Sequence, residues 1–335
     1  MRKEMLKDIL QAFGPAGNEE IVSGVIAEYI RPYCDSVYND AMGNLICCKK
    51  GTSGKKIMLS AHMDQIGFIV VDIDEKGFLR IANVGGILPA LSVGREVAFA
   101  NGVHGVIYFE TPKTRDASAQ AALPNMYVDI GCSTKEQAEE KVQVGDMCVY
   151  VTNMVDMGNR IASGAMDNRV CCAVIVEAMM ALQSPHDVYA VFTVQEEVGL
   201  RGAAAAAYAI DPDFNINLDV TLTGDTPKMP AMSVALGDGP AIKMMDSSVI
   251  VPMSVRKFMI ECAEQAKIPY QREVLRAGGT DTAVIQKVKG GILAGCISIP
   301  CRYVHTPTEV VDMADVDGAV ALICEMVAKE QLPGA

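Results

Sequence analysis

The chain has 335 residues, enough for roughly two domains of ~150 residues each and for a sizeable apolar core. Its 41 acidic residues outnumber its 29 basic residues, which gives a net charge of -12. The chain therefore lacks the basic surplus that binds phosphate backbones, and we expect neither nucleic acid nor an anionic membrane as a partner.

Helical spacing dominates the start of the chain. The apolar residues Leu6, Ile9 and Leu10 predict a first helix, and the segment 18–30 predicts a second. The strands predicted next are SVYND, NLICCKK and KKIMLSAH. The last of these strands is apolar and ends at His62, so it delivers a polar side chain to the end of a buried strand.

The stretch 67–163 differs in its sequence pattern from the rest of the chain. Short β-rich runs, among them GFIVVDID, REVAFA and MCVYVT, are separated by Gly, Asp and Asn turns, and one helical patch occurs at STKEQAEEK. This pattern predicts a small separate β-domain.

Helices and strands alternate again after Asp167. The predicted elements are helix DNRVCCAVIVEAMMAL, strand DVYAVFTV, an Ala-rich helix, strand FNINLDVTL, helix 255–266, strand GILAGCISI and helix 316–329. Such alternation predicts an α/β fold: a mixed, mostly parallel sheet flanked by helices. We expect residues 1–66 and 164–335 to form one discontinuous domain, interrupted by the inserted β-domain at 67–163.

The cysteines indicate a reducing compartment. Their number, 11, is odd, no C-x-x-C spacing occurs, and pairs such as Cys171 and Cys172 lie in apolar runs. A disulfide framework or zinc ribbon is therefore not expected. No apolar run reaches the ~18 residues of a membrane span and no export signal is visible, so we expect a cytoplasmic location.

Two short segments place acidic residues at predicted strand ends. His62 and Asp64 follow a buried strand, where the carboxylate can orient the imidazole of a metal ligand, although a capping Asp beside a structural His is the alternative. Glu196 and Glu197 end strand DVYAVFTV, and neighbouring buried acids need a cation or a shared proton. We interpret the two glutamates as one metal ligand and one general base; a solvated acidic turn is the alternative.

Three further residues are candidates for the same site. Asp167 begins a helix and is alternatively its N-cap. Asp219 lies in an apolar strand, where a carboxylate must be paired or coordinated. His305 follows an apolar strand, although a loop histidine is also a common exposed residue.

Together these histidines, aspartates and glutamates indicate a two-metal centre. Carboxylate and imidazole without thiolate suit Zn, Co or Mn. The chain has only four histidines, and His104 and His186 lack acidic company, so we assign those two to structure or surface.

The same residues resemble a known family, the tetrahedral, dodecameric metallo-aminopeptidases of metallopeptidase family forty-two, which includes glutamyl, leucyl, lysyl and deblocking enzymes. The matching stretches span nearly the whole chain: AHMDQIGF, MDNRVCCAV, TVQEEVGLRGA, LDVTLTGDTP, GPAIKMMD, AGGTDTAVIQ and ISIPCRYVHTPTEVVDMADV. The resemblance implies a di-metal aminopeptidase that acts on peptides.

The resemblance also assigns roles to the site residues. It implies two divalent ions, one held by His62, Asp167 and Asp219 and the other by Asp167, Glu197 and His305. It implies catalytic roles for Glu196, as the general base, and for Asp64, as the acid that orients that base.

The same resemblance implies an assembly, and the sequence departs from the family pattern at two places. The β-insert would be a dimerisation domain from which a hollow homododecamer is built. Cys171 stands where the family commonly has Gly, and the family's usual histidine is not evident near ETPKTRDAS.

The substrate preference and some alternatives stay open. Arg276 could pair with an acidic N-terminal residue, which would favour glutamyl substrates; a surface arginine is the alternative. Other readings are a metal-dependent deacylase, an endoglucanase of the kind annotated in this family, and a non-catalytic peptide-binding assembly protein. A nucleophilic Cys301 is a further alternative, without a sign of a lowered thiol pKa.

Overall fold

A computed structural model describes residues 1–110, 121–228 and 232–334. Within these ranges the helices are α1 (Lys3–Gln11), α2 (Glu20–Ile30), α3 (Pro89–Ser92), α4 (Lys135–Glu139), α5 (Met166–Ala181), α6 (Arg201–Ile210), α7 (Met253–Gln265), α8 (Thr282–Ile285) and α9 (Met313–Val327). The strands are β1 (Ser36–Asn39), β2 (Leu45–Lys49), β3 (Lys56–His62), β4 (Gly67–Ile73), β5 (Leu79–Val84), β6 (Glu96–Phe99), β7 (His104–Phe109), β8 (Met126–Asp129), β9 (Met147–Tyr150), β10 (Val155–Asp156), β11 (Arg160–Ser163), β12 (Asp187–Thr193), β13 (Phe214–Thr221), β14 (Ala241–Met245), β15 (Gln271–Val274), β16 (Leu293–Arg302) and β17 (Glu309–Asp312).

A large mixed sheet forms the centre of the molecule. Its middle strands, in the order β12, β3, β13 and β16, are parallel. Antiparallel strands extend it, with β2 and β1 beside β12 and with β17, β11 and β10 beyond β16. Every residue of β13 is buried, as expected for a strand covered on both faces.

Helices cover both faces of this sheet. Successive residues of β3 point to opposite faces, so Ile57 and Leu59 pack with the main core of α1, α2, α5 and α9. Met58 points the other way and packs with α6 and α8. The parallel strands therefore lie between two apolar layers, which leaves their ends as the place for polar side chains.

A closed barrel forms a second unit. Its strands are arranged in the order β4, β5, β8, β7, β6 and β9, and its own core includes Phe68, Val97, Ile107 and Val128. The predicted fold class is confirmed: a mixed, mostly parallel sheet flanked by helices, with a small β-barrel inserted in the chain.

The strand pairing indicates an end of the inserted unit before residue 163. Strands β10 and β11 fall inside the stretch 67–163, but they pair with each other and with β17 of the large sheet. The chain must rejoin the sheet before α5 begins at Met166. We therefore propose that the insertion ends near residue 150.

Several short elements carry no sequence signal. Strands β14, β15 and β17 and helix α8 each span four or five residues, too few to show a period. Residues 111–118 of the ETPKTRDAS segment lie outside the described residues. In the part of the chain that the structure describes, no helix has the length and apolarity needed to cross a membrane.

Candidate metal centre

The side chains that the sequence nominates for metal chemistry meet at one edge of the large sheet. Each lies at or just after the carboxyl-terminal part of a parallel strand, or in the first turn of a neighbouring helix. His62 ends β3, Asp219 lies in β13, Glu196 and Glu197 follow β12, His305 follows β16, and Asp167 lies in the first turn of α5. Open α/β sheets carry their sites at this edge, because the loops there diverge and leave a crevice.

Asp167 lies between two histidines. Its Oδ1 is 3.1 Å from Nε2 of His62, and its Oδ2 is 3.3 Å from Nε2 of His305. Asp219 joins the first histidine, with Oδ1 3.8 Å from Nε2 of His62, and Glu197 joins the second, with Oε2 3.4 Å from Nε2 of His305. The structure thus contains two candidate ligand groups that share one carboxylate, and the possible ligand atoms of each group lie within 4.8 Å of one another.

Burial of the carboxylates makes this cluster fit for cations. Burial raises the pKa of Asp219 to about 8 and raises the pKa of Glu197 well above its usual range. The buried Oε1 of Glu197 has no hydrogen-bond partner among the described residues. Buried carboxylates in this arrangement need a compensating cation or a proton. The oxygen and imidazole donors therefore fit divalent ions such as Zn, Co or Mn.

Glu196 occupies a different place from its neighbour. Its Oε2 is 3.8 Å from Nε2 of His62, and it belongs to neither ligand group. Burial raises its pKa well above the usual range, against the opposing effect of His62. Glu196 therefore lines the centre as a buried carboxylate outside both candidate ligand groups.

Asp64 orients the residues around it. Its buried carboxylate accepts hydrogen bonds from the backbone N–H of Glu196 at 3.0 Å and of Glu197 at 3.1 Å. Its backbone carbonyl accepts a hydrogen bond from Nδ1 of His62 at 3.1 Å, which directs Nε2 towards Asp167. Asp64 therefore connects the histidine and both glutamates through hydrogen bonds.

Glu309 plays a similar part and was not identified from the sequence. Its Oε2 accepts the backbone N–H of Asp167 at 3.0 Å, and its Oε1 accepts that of His305 at 2.9 Å. Burial raises the pKa of Glu309 to about 8. The sequence shows Glu309 only as an acid four residues after His305, and an acid at the start of a short strand is common.

The backbone around the centre adopts left-handed conformations at several residues with side chains. Ala165, Gln195, Leu200 and His305 have φ values of 55°, 56°, 57° and 62°. Each such conformation costs on the order of 1–3 kcal/mol and persists where the surroundings enforce it. These residues lie in the loops that hold Asp167, the glutamates and His305. The surrounding tertiary contacts, and not the local backbone preferences of these residues, therefore maintain the loop conformations.

The centre opens into a cavity of about 700 Å³. One side of that cavity comes from the segment after β5, through Gly86, Ile87 and Leu88. This segment packs closely on the centre: a Cβ placed on Gly86 would lie 2.6 Å from Nδ1 of His305. The barrel strand β5 therefore leads directly into the wall of the candidate site.

Other sequence candidates lie elsewhere. His104 is exposed on β7, and His186 is buried and hydrogen-bonds the carbonyl of Lys329 at 2.8 Å; neither belongs to a ligand group. Burial raises the pKa of the Cys301 thiol well above its usual range, which gives the nucleophilic alternative no support. Arg276 is exposed and does not line the cavity.

Comparison with known proteins agrees with this geometry. The family model for the M42 glutamyl aminopeptidases matches residues 43–322. A putative aminopeptidase of Acetivibrio thermocellus is 47% identical over 332 residues, covering 98% of this chain and 100% of that protein.

Solved structures with the same fold cover almost the whole chain. An aminopeptidase of the archaeon Desulfurococcus kamchatkensis superposes with a TM-score of 0.94 at 36% identity, covering 98% of this chain and 94% of that one. The TET1 peptidase of Pyrococcus horikoshii, described as able to assemble into a tetrahedron or a large octahedral shell, has a TM-score of 0.88 at 30% identity, covering 98% and 99%. The chain belongs to the M42 glutamyl aminopeptidase family, and it is an aminopeptidase.

Proposed function

We propose that the chain removes N-terminal residues from short peptides with two divalent metal ions, and that Glu196 is its general base. The observation that carries this proposal is the position of Asp167, whose carboxylate oxygens lie 3.1 and 3.3 Å from Nε2 of His62 and of His305. A carboxylate between two imidazoles, with one further acid beside each, supports a bridging role.

The residues divide the work of hydrolysis. His62, Asp167 and Asp219 would hold one divalent ion, and Asp167, Glu197 and His305 would hold a second. The chemistry supplied by such ions would be a lowered pKa of the attacking water and polarisation of the scissile carbonyl. Glu196 takes a proton from the attacking water and passes it to the departing amine. Asp64 holds Glu196 in place through the backbone N–H, and it keeps the ring of His62 directed towards Asp167.

A pair of variants tests this division, because the two glutamates are adjacent and chemically identical. We expect Glu196→Gln to retain both ions and to lose ~100-fold to 10,000-fold in kcat. We expect Glu197→Gln, the matched variant, to lose affinity for one ion. Elemental analysis and kcat are measured on the same preparations, and near wild-type turnover of Glu196→Gln would remove Glu196 from its role.

The identity of the metal is tested by chelation. We expect exhaustive dialysis against a chelator to abolish hydrolysis of aminoacyl substrates, and Zn, Co or Mn to restore it. Activity that survives complete removal of metal contradicts the mechanism. The metal that restores activity at the lowest concentration is the one that the donor set prefers.

The barrel supports a role in assembly. Val106 and Tyr108 on β7 are 47% and 43% exposed, and Val71 on β4 is 50% exposed, which leaves apolar area on the outside of the barrel. We propose that the barrel mediates dimers and that the dimers build a homododecamer. Light scattering should then give twelve times the chain mass of 35.8 kDa, and a monomer would contradict the proposal.

A cytoplasmic location is also part of the proposal. The chain has eleven cysteines, all of them free thiols, and most are buried among apolar side chains. Such thiols persist in reducing compartments. Fractionation of the native cells should recover the activity with cytosolic markers, and recovery from the extracellular medium would contradict it.

A further inference from the structure

The wall of the cavity beyond the metal centre is apolar. It is formed by side chains from several loops: Ile87, Leu88, Leu200, Leu222, Leu275 and Val304. Leu88 is 57% exposed and Leu222 is 36% exposed, although both are large apolar residues. Large apolar side chains that line a cavity beside a polar centre are typical of a binding site for an apolar group.

The polar group in this wall is turned away. Thr221 lines the cavity, but its hydroxyl donates to Oε1 of Glu273 at 2.9 Å. Glu273 is itself buried and paired with the buried Lys243. The hydroxyl is therefore engaged in a buried network and does not face a ligand.

Two arginines near the cavity, Arg276 and Arg302, are also not available to a ligand in it. Arg276 is exposed and is absent from the described wall. Arg302 pairs with Asp225 through two hydrogen bonds of 3.0 and 2.6 Å. Among the described residues, this wall therefore offers no cation to an acidic N-terminal side chain, and the predicted preference for glutamyl substrates has no support from them.

We propose that this cavity receives an uncharged, apolar N-terminal side chain of about the size of leucine, and that Leu222 and Leu275 determine this specificity. The inference rests on the proposed aminopeptidase function and adds the substrate class to it. The metal centre acts on the first peptide bond, while the leucines contact the side chain. Burying a charged side chain against them would leave the charge without a partner.

A substrate panel tests the preference. We expect kcat/KM for the leucyl substrate to exceed that for the alanyl, glutamyl and lysyl substrates by ~10-fold or more. A glutamyl or lysyl maximum, or equal rates, would overturn the proposal. Absence of hydrolysis for the whole panel would refute the proposed function, and calorimetric binding of free leucine, glutamate and lysine would then decide the preference separately.

A charge introduced into the wall provides the sharper test. Leu275→Arg puts a cation in the cavity, so the ratio of glutamyl to leucyl kcat/KM should rise ~10-fold or more. Val274→Arg is the matched control, because Val274 is 51% exposed on the adjacent position and does not line the cavity. It adds the same charge and should leave the ratio unchanged.

A second variant covers the case in which Leu275→Arg fails to fold. Leu222→Arg places the charge on another side of the cavity, at a residue that is already partly exposed. It should change the same ratio in the same direction. An unchanged ratio in the folded wall variants, or an equal change in Val274→Arg, would overturn the assignment of the leucines.

Discussion

Gly86 occupies the point where the barrel segment meets the metal centre. A Cβ added there would lie 2.6 Å from Nδ1 and 2.9 Å from Cε1 of the His305 ring. The backbone of Gly86 is outside the left-handed region, so its conformation permits alanine. Gly86→Ala therefore tests one physical effect, the displacement of a ligand ring by a single methyl group.

The size of the effect follows from the contact distance. Nonbonded heavy atoms attract best at ~3.5 Å or beyond, so the methyl group of Gly86→Ala would lie about 0.9 Å too close to the ring. A misplacement of ~1 Å costs on the order of 100-fold in rate. Overpacking of this kind costs ~1–3 kcal/mol of folding stability. We therefore expect a large functional loss in a protein that still folds.

Metal content distinguishes displacement of His305 from general damage. We expect Gly86→Ala to bind its second ion at least ~10-fold more weakly, because His305 belongs to only one of the two ligand groups. Titration of the metal-free protein followed by calorimetry measures both affinities, and kcat/KM is measured at saturating metal.

Gly24→Ala is the matched control. Gly24 lies in α2, and a Cβ there would have no atom within 4 Å apart from its own helix and chain neighbours. Alanine also favours the helix by ~1 kcal/mol, so this variant should retain activity and gain stability. The reasoning is refuted if Gly86→Ala binds both ions with wild-type affinity and retains kcat/KM within twofold.

Three further variants test the positioning residues and the surface charges. Asp64→Asn leaves one of two backbone N–H donors without an acceptor, so kcat should fall at least ~10-fold while the fold persists by circular dichroism. In Glu309→Gln the side chain can accept a hydrogen bond from only one of the two backbone N–H groups, so metal affinity should fall ~10-fold to 100-fold. A competitive chelator titration measures this affinity, and an unchanged value would exclude a positioning role of Glu309. The Arg302 guanidinium holds the pKa of Asp225 below its usual range, so the pair stabilises the fold above the unfolded pKa of ~3.9 and loses that stability as the pH falls further. Asp225→Asn should therefore cost about 1 kcal/mol in urea unfolding at pH 7 and less at pH 3, and a gap that widens on acidification would contradict the sign.

The sequence predicted the large elements and the chemistry-bearing residues because both have local signals. Strand β3 is a continuous apolar run that ends at His62, and helix α5 is apolar over most of its length after Asp167. Parallel strands align their carboxyl ends, so residues that follow such runs are brought to one edge without knowledge of the loops. Glu196 and Glu197 stood out for the same reason, as adjacent acids at the end of a buried strand.

The contacts between distant segments were decided only by the tertiary structure. Glu309 looks like any acid at a strand start, and its role depends on two backbone N–H groups, one of them 142 residues away in the chain. Gly86 and Leu275 carry no local signal either, because Gly86 packs closely against His305 from the barrel segment and Leu275 lines a cavity with leucines from separate loops. Patterns along the chain report burial and period, whereas ligand orientation and cavity lining depend on which loops meet in space. The sequence therefore indicated a metal centre in an α/β enzyme, and the fold determined which backbone groups support that centre and which side chains line its cavity.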